Sequence, residues 1–237
     1  MPESYTAVAT KIEDVSPWIR RLFLHMDGAK PLAFKAGQFV MADLAKPDGT
    51  PHKRAYSIAS APHAGDPLEL VIKFEEGGVA SNYFFKILKE GGSFPARAPF
   101  GAFVIKEPEP ETLVFVATGT GIAPLRSMIH DLYHRGVAQS RKVWLFLGIR
   151  YENEILYDDE WRALAAAHPG FTYVPTISKP KAWAGEVGYV QEKVRKLMPY
   201  IPGAKAYACG GDAMMKELGA ALVEKGYPKE MLHYEIW

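Results

Sequence analysis

Apolar and polar positions keep one rhythm up to residue 106 and another beyond it. In the first stretch the apolar runs are short and broken by Gly and Pro, at residues 5–12, 19–26, 38–44, 54–59 and 68–74. Runs of that kind, punctuated by turn residues, read as strands of an antiparallel barrel or sandwich. A helix is expected among them over 79–89, entered through Gly77-Gly78 and stopped by Gly91-Gly92.

Past a polar, proline-broken segment at 106–111, strands and helices alternate. Residues 112–117 are apolar after the first, as a strand covered on both faces requires, and 123–135 follow with helical spacing. Strands at 143–149, 171–177, 205–209 and 233–237 then alternate with helices at 158–168, 190–198 and 212–225. This rhythm predicts a doubly wound parallel α/β sheet. The expected domains are 1–106 and 112–237, joined by the short polar linker.

Composition and charge act mainly by exclusion. With 28 Lys and Arg against 27 Asp and Glu the net charge is +1, and no basic run points to nucleic acid, although a local basic patch for an acidic protein partner remains open. Cys209 is the single cysteine, which rules out an intrachain disulfide framework and an iron–sulfur cluster on four thiolates of this chain. His25, His52 and His63 lack ligand spacing, so no metal site is expected. The first residues carry no charged segment followed by an apolar run, and no stretch approaches ~18 apolar residues. The expectation is a cytoplasmic protein without a membrane span.

Three segments carry candidate chemistry. In Arg54-Ala55-Tyr56-Ser57, the period of two places Arg54 and Tyr56 on one strand face and Ala55 and Ser57 on the other, while a strand end or twist can bring Ser57 beside the ring. A planar flavin needs an aromatic plate, a donor near its reactive nitrogen and a cation for its diphosphate, and these residues offer one of each. A barrel strand with an exposed Arg and a rim Tyr explains the stretch equally well. Gly77, Gly78 and Ser81 sit at a helix start, where free N–H groups favour an anion, with Ser81 as a plain N-cap the alternative. Gly119-Thr120-Gly121 follows an apolar strand and opens a helix with Pro124 in its first turn, the setting of a phosphate loop. Pro124 replaces the third glycine of the dinucleotide fingerprint, and no Lys-Ser/Thr pair makes this a nucleoside triphosphate loop.

In this order the segments resemble the ferredoxin–NADP reductase family of FAD- and pyridine-nucleotide-dependent oxidoreductases, over nearly the whole chain. Arg54-Ala55-Tyr56-Ser57 is similar to its flavin motif, Gly78-Val79-Ala80-Ser81 to its diphosphate motif, and Gly119 to Pro124 to its nicotinamide-domain loop. Leu147-Gly148-Ile149-Arg150, Glu154-Ile155-Leu156-Tyr157, Thr176-Ile177-Ser178, Trp183-Ala184-Gly185, Gly188-Tyr189-Val190 and Cys209-Gly210-Gly211-Asp212 extend the match.

The resemblance implies a six-stranded flavin barrel followed by a nicotinamide-nucleotide domain. It places Tyr56 on the isoalloxazine, Ser57 near flavin N5, and Arg54 with Ser81 on the FAD diphosphate. Ala55, Gly77, Gly78, Val79 and Ala80 complete that site, and Val71, Ile72 and Lys73 offer backbone contacts. Thr118, Gly119, Thr120, Gly121, Pro124, Gly148 and Arg150, with Gly210, Gly211 and Asp212, belong to the nucleotide site. Cys209 orients the nicotinamide, a buried core cysteine being the alternative. Glu235 and Trp237 match a C-terminal Glu-x-aromatic ending whose aromatic covers the flavin; Trp237 as a core residue fits as well. The implied catalytic set is Ser57, Cys209, Glu235 and Trp237.

Ser178, Lys179 and Lys181 after the third strand of the second domain favour the 2′-phosphate of NADPH, with Tyr189 placed to stack on adenine. Val187 stands where some NADPH-specific relatives carry a cation, so NADH stays open. The function implied is a monomeric reductase passing electrons from NADPH through bound FAD to a ferredoxin, a flavodoxin or an iron–sulfur oxygenase component. A flavin reductase that releases reduced flavin and a non-catalytic electron-transfer subunit are the alternatives.

Overall fold

The computed structural model describes residues 2–236. The chain divides into two compact units, Met1–Val104 with Arg126–Asp131, and Ile105–Leu125 with Leu132–Trp237.

In the first unit β1 (Glu3–Ser16), β2 (Ile19–Asp27), β3 (Phe39–Ala45), β4 (Pro51–Ser57), β5 (Leu68–Lys73) and β6 (Ser93–Phe100) form an antiparallel sheet, with the short helix α1 (Val79–Asn82) between β5 and β6. The strand order is β4-β3-β6-β1-β2-β5. The sheet curls until its edges meet, where Ile58 bridges Leu70 and Ala59 N–H donates to Glu69 O at 2.8 Å. Alternate side chains such as Leu22, Leu24, Val40 and Ala42 point into one core with Leu70, Ile72, Phe84 and Phe94. The six-stranded antiparallel barrel read from the sequence is therefore the observed architecture.

One strand was not anticipated, and one local expectation needed correction. β6 carries Pro95 and Pro99, residues that argue against a central strand, yet it lies between β1 and β3. Pro95 falls beyond the last β3 pair, Ala42 with Ala96, and Pro99 falls where the β3 register is irregular, so both escape the β3 ladder. The helix expected over 79–89 is four α-helical residues followed by a π-helical turn, Tyr83–Ile87, and Leu88 is already extended. That wider turn carries an aromatic run in which Phe84 meets Phe94 and Phe85 meets Phe74.

The second unit is a parallel sheet of β7 (Thr112–Thr118), β8 (Lys142–Ile149), β9 (Phe171–Ile177), β10 (Glu186–Val187), β11 (Lys205–Gly210) and β12 (Leu232–Ile236), ordered β10-β9-β8-β7-β11-β12. The helices α2 (Ile122–His134), α3 (Asp158–Ala167), α4 (Val190–Leu197) and α5 (Asp212–Glu224) alternate with the strands. β7 is buried throughout except at Thr118, as its unbroken apolar run requires. Val190 and Val194 of α4 and Met214, Met215 and Leu218 of α5 cover Val114, Val116 and Phe146. The order turns back between β7 and β11, so the carboxyl ends of those strands form the topological switch point where such sheets bind ligands. β10 was not anticipated, because two residues carry no periodicity. No described helix is long and apolar enough to cross a membrane.

Candidate functional site

The first cluster forms where β4 and β5 part. The two edges meet at Ile58 with Leu70 and at Ala59 with Glu69, and Arg54–Ser57 on one side and Val71–Lys73 on the other lie beyond that meeting point. Tyr56 is half-buried and stands edge-on to Phe84, with ring centroids 5.3 Å apart and planes at 88°. Burial pushes its phenol up to about 12, with the Arg54 cation pulling the other way. Arg54 is exposed, its Nη1 donating to Lys53 O at 3.0 Å, while Ala55 is exposed and Ser57 half-buried. Val71 and Ile72 are both buried, on opposite faces of β5 with only Ile72 in the barrel core, which leaves their backbone as the available contact, and Lys73 pairs with Glu75 at 3.1 Å.

Beyond β5 the chain turns through Gly77, at φ 73°, into α1. A Cβ on Gly78 would stand 2.7 Å from Ser81 Oγ and 3.1 Å from Glu75 O, so the turn closes only around a glycine. Ser81 is not the N-cap: that position is Gly78, and no side chain caps the helix. The Ser81 hydroxyl, itself buried, donates to Glu75 O at 2.7 Å and approaches Gly78 O at 3.2 Å. It holds the turn, and the first-turn N–H groups of Val79, Ala80 and Ser81 are left without intrahelical acceptors. A glycine cradle with uncapped N–H donors, an aromatic plate and an exposed guanidinium fits a flavin dinucleotide.

The second cluster lies at the carboxyl ends of β7, β8 and β11. Gly119, at φ 53°, turns the chain out of β7, and a Cβ there would meet nothing within 4 Å. Thr118, Gly119 and Thr120 stay partly accessible, and Pro124 sits in the first turn of α2, where its missing N–H costs no bond. Thr118 is flanked by two glycines. A Cβ on Gly148 would approach Val190 Cβ to 2.9 Å and Thr118 Cγ2 to 3.2 Å, and one on Gly210 would overlap Thr118 Oγ1 and reach Met214 Cε at 2.5 Å. Gly211 is the N-cap of α5, open on the side a Cβ would occupy, and Asp212 in the first turn pairs with Lys216 at 2.6 Å. The floor of this cluster is bare backbone beside two helix starts, which suits a dinucleotide's phosphates.

Cys209 lies in register with Ala117 on one side and Glu235 on the other, and is only 3% exposed. Burial pushes its thiol up strongly, and the Glu235 charge pushes the same way. The sulfur is therefore a neutral packed group rather than a thiolate. Burial also raises the Glu235 carboxyl. Trp237, the expected aromatic cover, lies outside the described residues.

Beyond β8 and β9 the backbone stays zipped. Ser178 N–H donates to Ile149 O and Lys179 N–H to Arg150 O, both at 2.9 Å, which brings Arg150, Ser178 and Lys179 side by side. The Arg150 guanidinium lies 5.3 Å from the Tyr151 ring centroid. Tyr189 is the N-cap of α4 and 61% exposed, open to a stacking partner. Glu152 was not anticipated: its carboxylate accepts Lys181 N–H at 2.9 Å and Ala182 N–H at 2.6 Å. A bond from its own backbone N–H, followed by those from Ala182 and Lys181, holds its carboxyl below the usual range. No local spacing signals a contact across about thirty positions; only the β8–β9 register reveals it.

Comparison with known proteins places both clusters in one context. Residues 6–105 match the oxidoreductase FAD-binding domain, and residues 115–219 match the oxidoreductase NAD-binding domain. The chain is 36% identical to ferredoxin–NADP reductase B of Sorangium cellulosum, over 98% of this chain and 97% of that one. It is 35% identical to the reductase component of a Pseudomonas phenol 2-monooxygenase, over 90% of this chain but only 60% of that relative. Among solved structures, an Amycolatopsis cytochrome P450 reductase superposes with a TM-score of 0.88 at 28% identity, covering 99% of this chain and 70% of that one. A Neisseria gonorrhoeae ferredoxin–NADP reductase with bound FAD and NADP shares the fold, with a TM-score of 0.84 at 22% identity over 99% and 98% of the two chains.

Proposed function

Because the chain belongs to the ferredoxin–NADP reductase family, we propose that it carries electrons from NADPH through a retained FAD to a one-electron carrier, a ferredoxin, a flavodoxin or an iron–sulfur oxygenase component. When bound, FAD takes up a hydride from reduced nicotinamide and gives up electrons singly, which is the chemistry such a carrier needs. The residues of the chain supply position rather than acid–base catalysis. Tyr56, set edge-on against Phe84, offers a fixed plate for the flavin ring. Arg54 and the first-turn N–H groups of α1 take its diphosphate, with Ser81 holding the turn that presents them. In the second unit the Gly119 turn and the Gly210-Gly211 start of α5 take the nicotinamide dinucleotide, and neutral Cys209 packs beside it.

The observation that carries retained FAD over released flavin is the Gly78–Ser81 turn, a diphosphate cradle for which a flavin mononucleotide has no second phosphate. The preference for NADPH rests on Arg150, Ser178 and Lys179, which offer two cations and a hydroxyl at one strand end. The carrier is supported by relatives that are themselves named as reductase components of oxygenase systems. Purification tests the reading: one FAD per chain should survive gel filtration, and the reduced protein should pass electrons to a ferredoxin. A colourless protein whose activity needs added flavin overturns it in favour of a flavin reductase.

A further inference from the structure

We infer that Glu152 is a positioning residue for nucleotide specificity: its carboxylate bridges the backbone N–H groups of Lys181 and Ala182 and so fixes the loop that presents Lys179 and Lys181 toward a 2′-phosphate. The inference rests on the NADPH reading and assigns it a residue outside the loop itself.

The geometry supports it in three steps. The β8–β9 ladder continues past the strand ends through Ser178 N–H to Ile149 O and Lys179 N–H to Arg150 O. Pro180 has no N–H and ends that backbone ladder. Immediately afterwards the Glu152 side chain substitutes for a strand, taking Lys181 N–H at 2.9 Å and Ala182 N–H at 2.6 Å. The segment from Ser178 to Ala182, which is mostly exposed and otherwise a free loop, is thereby pinned at both ends to the segment Ile149–Glu152.

Both N–H groups converge on one oxygen, Oε1, while Oε2 is met only by the longer 3.3 Å contact from Lys181 N–H. The carboxylate keeps its negative charge beside Lys181, so it favours a bound phosphate only through the loop it fixes. Its Oε1 holds two backbone donors at once, and charge-assisted bonds of this type are the stronger class. Its reach matters as much as its charge, because both N–H groups must be met by one side chain.

Two substitutions in the FAD-loaded protein separate reach from charge. Glu152→Asp keeps the charge and shortens the reach; Glu152→Gln keeps the reach and removes the charge. Calorimetric titration with 2′,5′-ADP and with 5′-AMP, and amide exchange at Lys181 and Ala182, are the readouts. Glu152→Asp should weaken 2′,5′-ADP by about tenfold, leave 5′-AMP within about twofold and speed exchange at both amides, while Glu152→Gln stays within about threefold of wild type. Unchanged 2′,5′-ADP affinity in Glu152→Asp overturns the inference, and so does tighter binding in Glu152→Gln, which would make the carboxylate a repulsive charge. Wild-type protein that binds 2′,5′-ADP no better than 5′-AMP instead sinks the NADPH reading, and the specificity role falls with it. Loss of the ligand preference in Glu152→Asp without faster exchange overturns the loop as its cause.

Discussion

Tyr56 meets Phe84 edge-on at 5.3 Å between ring centroids, so the plate assigned to the flavin is aimed by a side chain with no exposure of its own. Such pairs contribute about 0.5–1.5 kcal/mol beyond the area they bury. Tyr56→Phe should keep FAD affinity within about threefold, whereas Phe84→Leu should weaken it about three- to tenfold by releasing the ring. Fluorescence titration of the flavin-free protein measures both. Equal affinity in Phe84→Leu would separate the aromatic pair from flavin binding.

The Ser81 hydroxyl donates to Glu75 O across the turn, and its removal leaves that carbonyl with only the Gly78 N–H. Ser81→Ala should weaken FAD by about tenfold, the value of one to two such bonds. The same variant should bind riboflavin as the wild type does, because riboflavin has no phosphate for the turn to present. Parallel loss for both ligands would place Ser81 in general stability.

Gly210 and Gly119 are required for different reasons, and their alanine variants should differ. At Gly210 a Cβ overlaps Thr118 Oγ1 and crowds Met214 Cε, so Gly210→Ala should destabilise the protein by about 1–3 kcal/mol in urea unfolding. At Gly119 the space is open and only the φ of 53° resists a side chain. Gly119→Ala should therefore show only the backbone penalty of about 1–2 kcal/mol, and Gly119→Asn should recover part of it. At Gly210 Asn should lose more than Ala, and a recovery by Asn there like that at Gly119 would contradict the close packing around Thr118.

Glu235 and Cys209 face each other across the β11–β12 register, and burial raises both groups. A carboxyl raised above its unfolded value of 4.5 contributes fully below that pH, and the contribution is lost as pH rises through the folded value. Glu235→Gln should then match wild-type thermal stability near pH 4 and exceed it near pH 7. In the folded wild type, Cys209 should resist a thiol reagent at pH 8 and react once the chain is unfolded. Rapid labelling of the folded protein would remove the neutral, packed thiol from the account.

Most of the architecture was legible because the hydrophobic periodicity that identifies a strand or helix is the same force that packs it. The apolar run Leu113–Ala117 of β7, the Gly119 turn and the α2 start that follows it are one local statement, and their sequence reads in that order. What stayed hidden depends on tertiary partners. β6 is a central strand despite two prolines because its register leaves both outside the β3 ladder. The π-helical turn at Tyr83–Ile87 follows from where its aromatics must point, and a run of Tyr, Phe and Phe does not announce it. Ser81 was recognised as part of the cradle, but its hydroxyl is directed at carbonyls of the turn, a detail set by the three-dimensional path of the Gly77-Gly78 backbone. Glu152 was invisible because its partners arrive through strand register alone.

The central claim is hydride transfer from NADPH to FAD held by this chain, and anaerobic stopped-flow mixing of the purified protein tests it most directly. The visible flavin absorbance should bleach rapidly with NADPH, more slowly or only at higher concentration with NADH, and return when oxidised ferredoxin is added. A flavin that stays oxidised with both nucleotides would contradict the account.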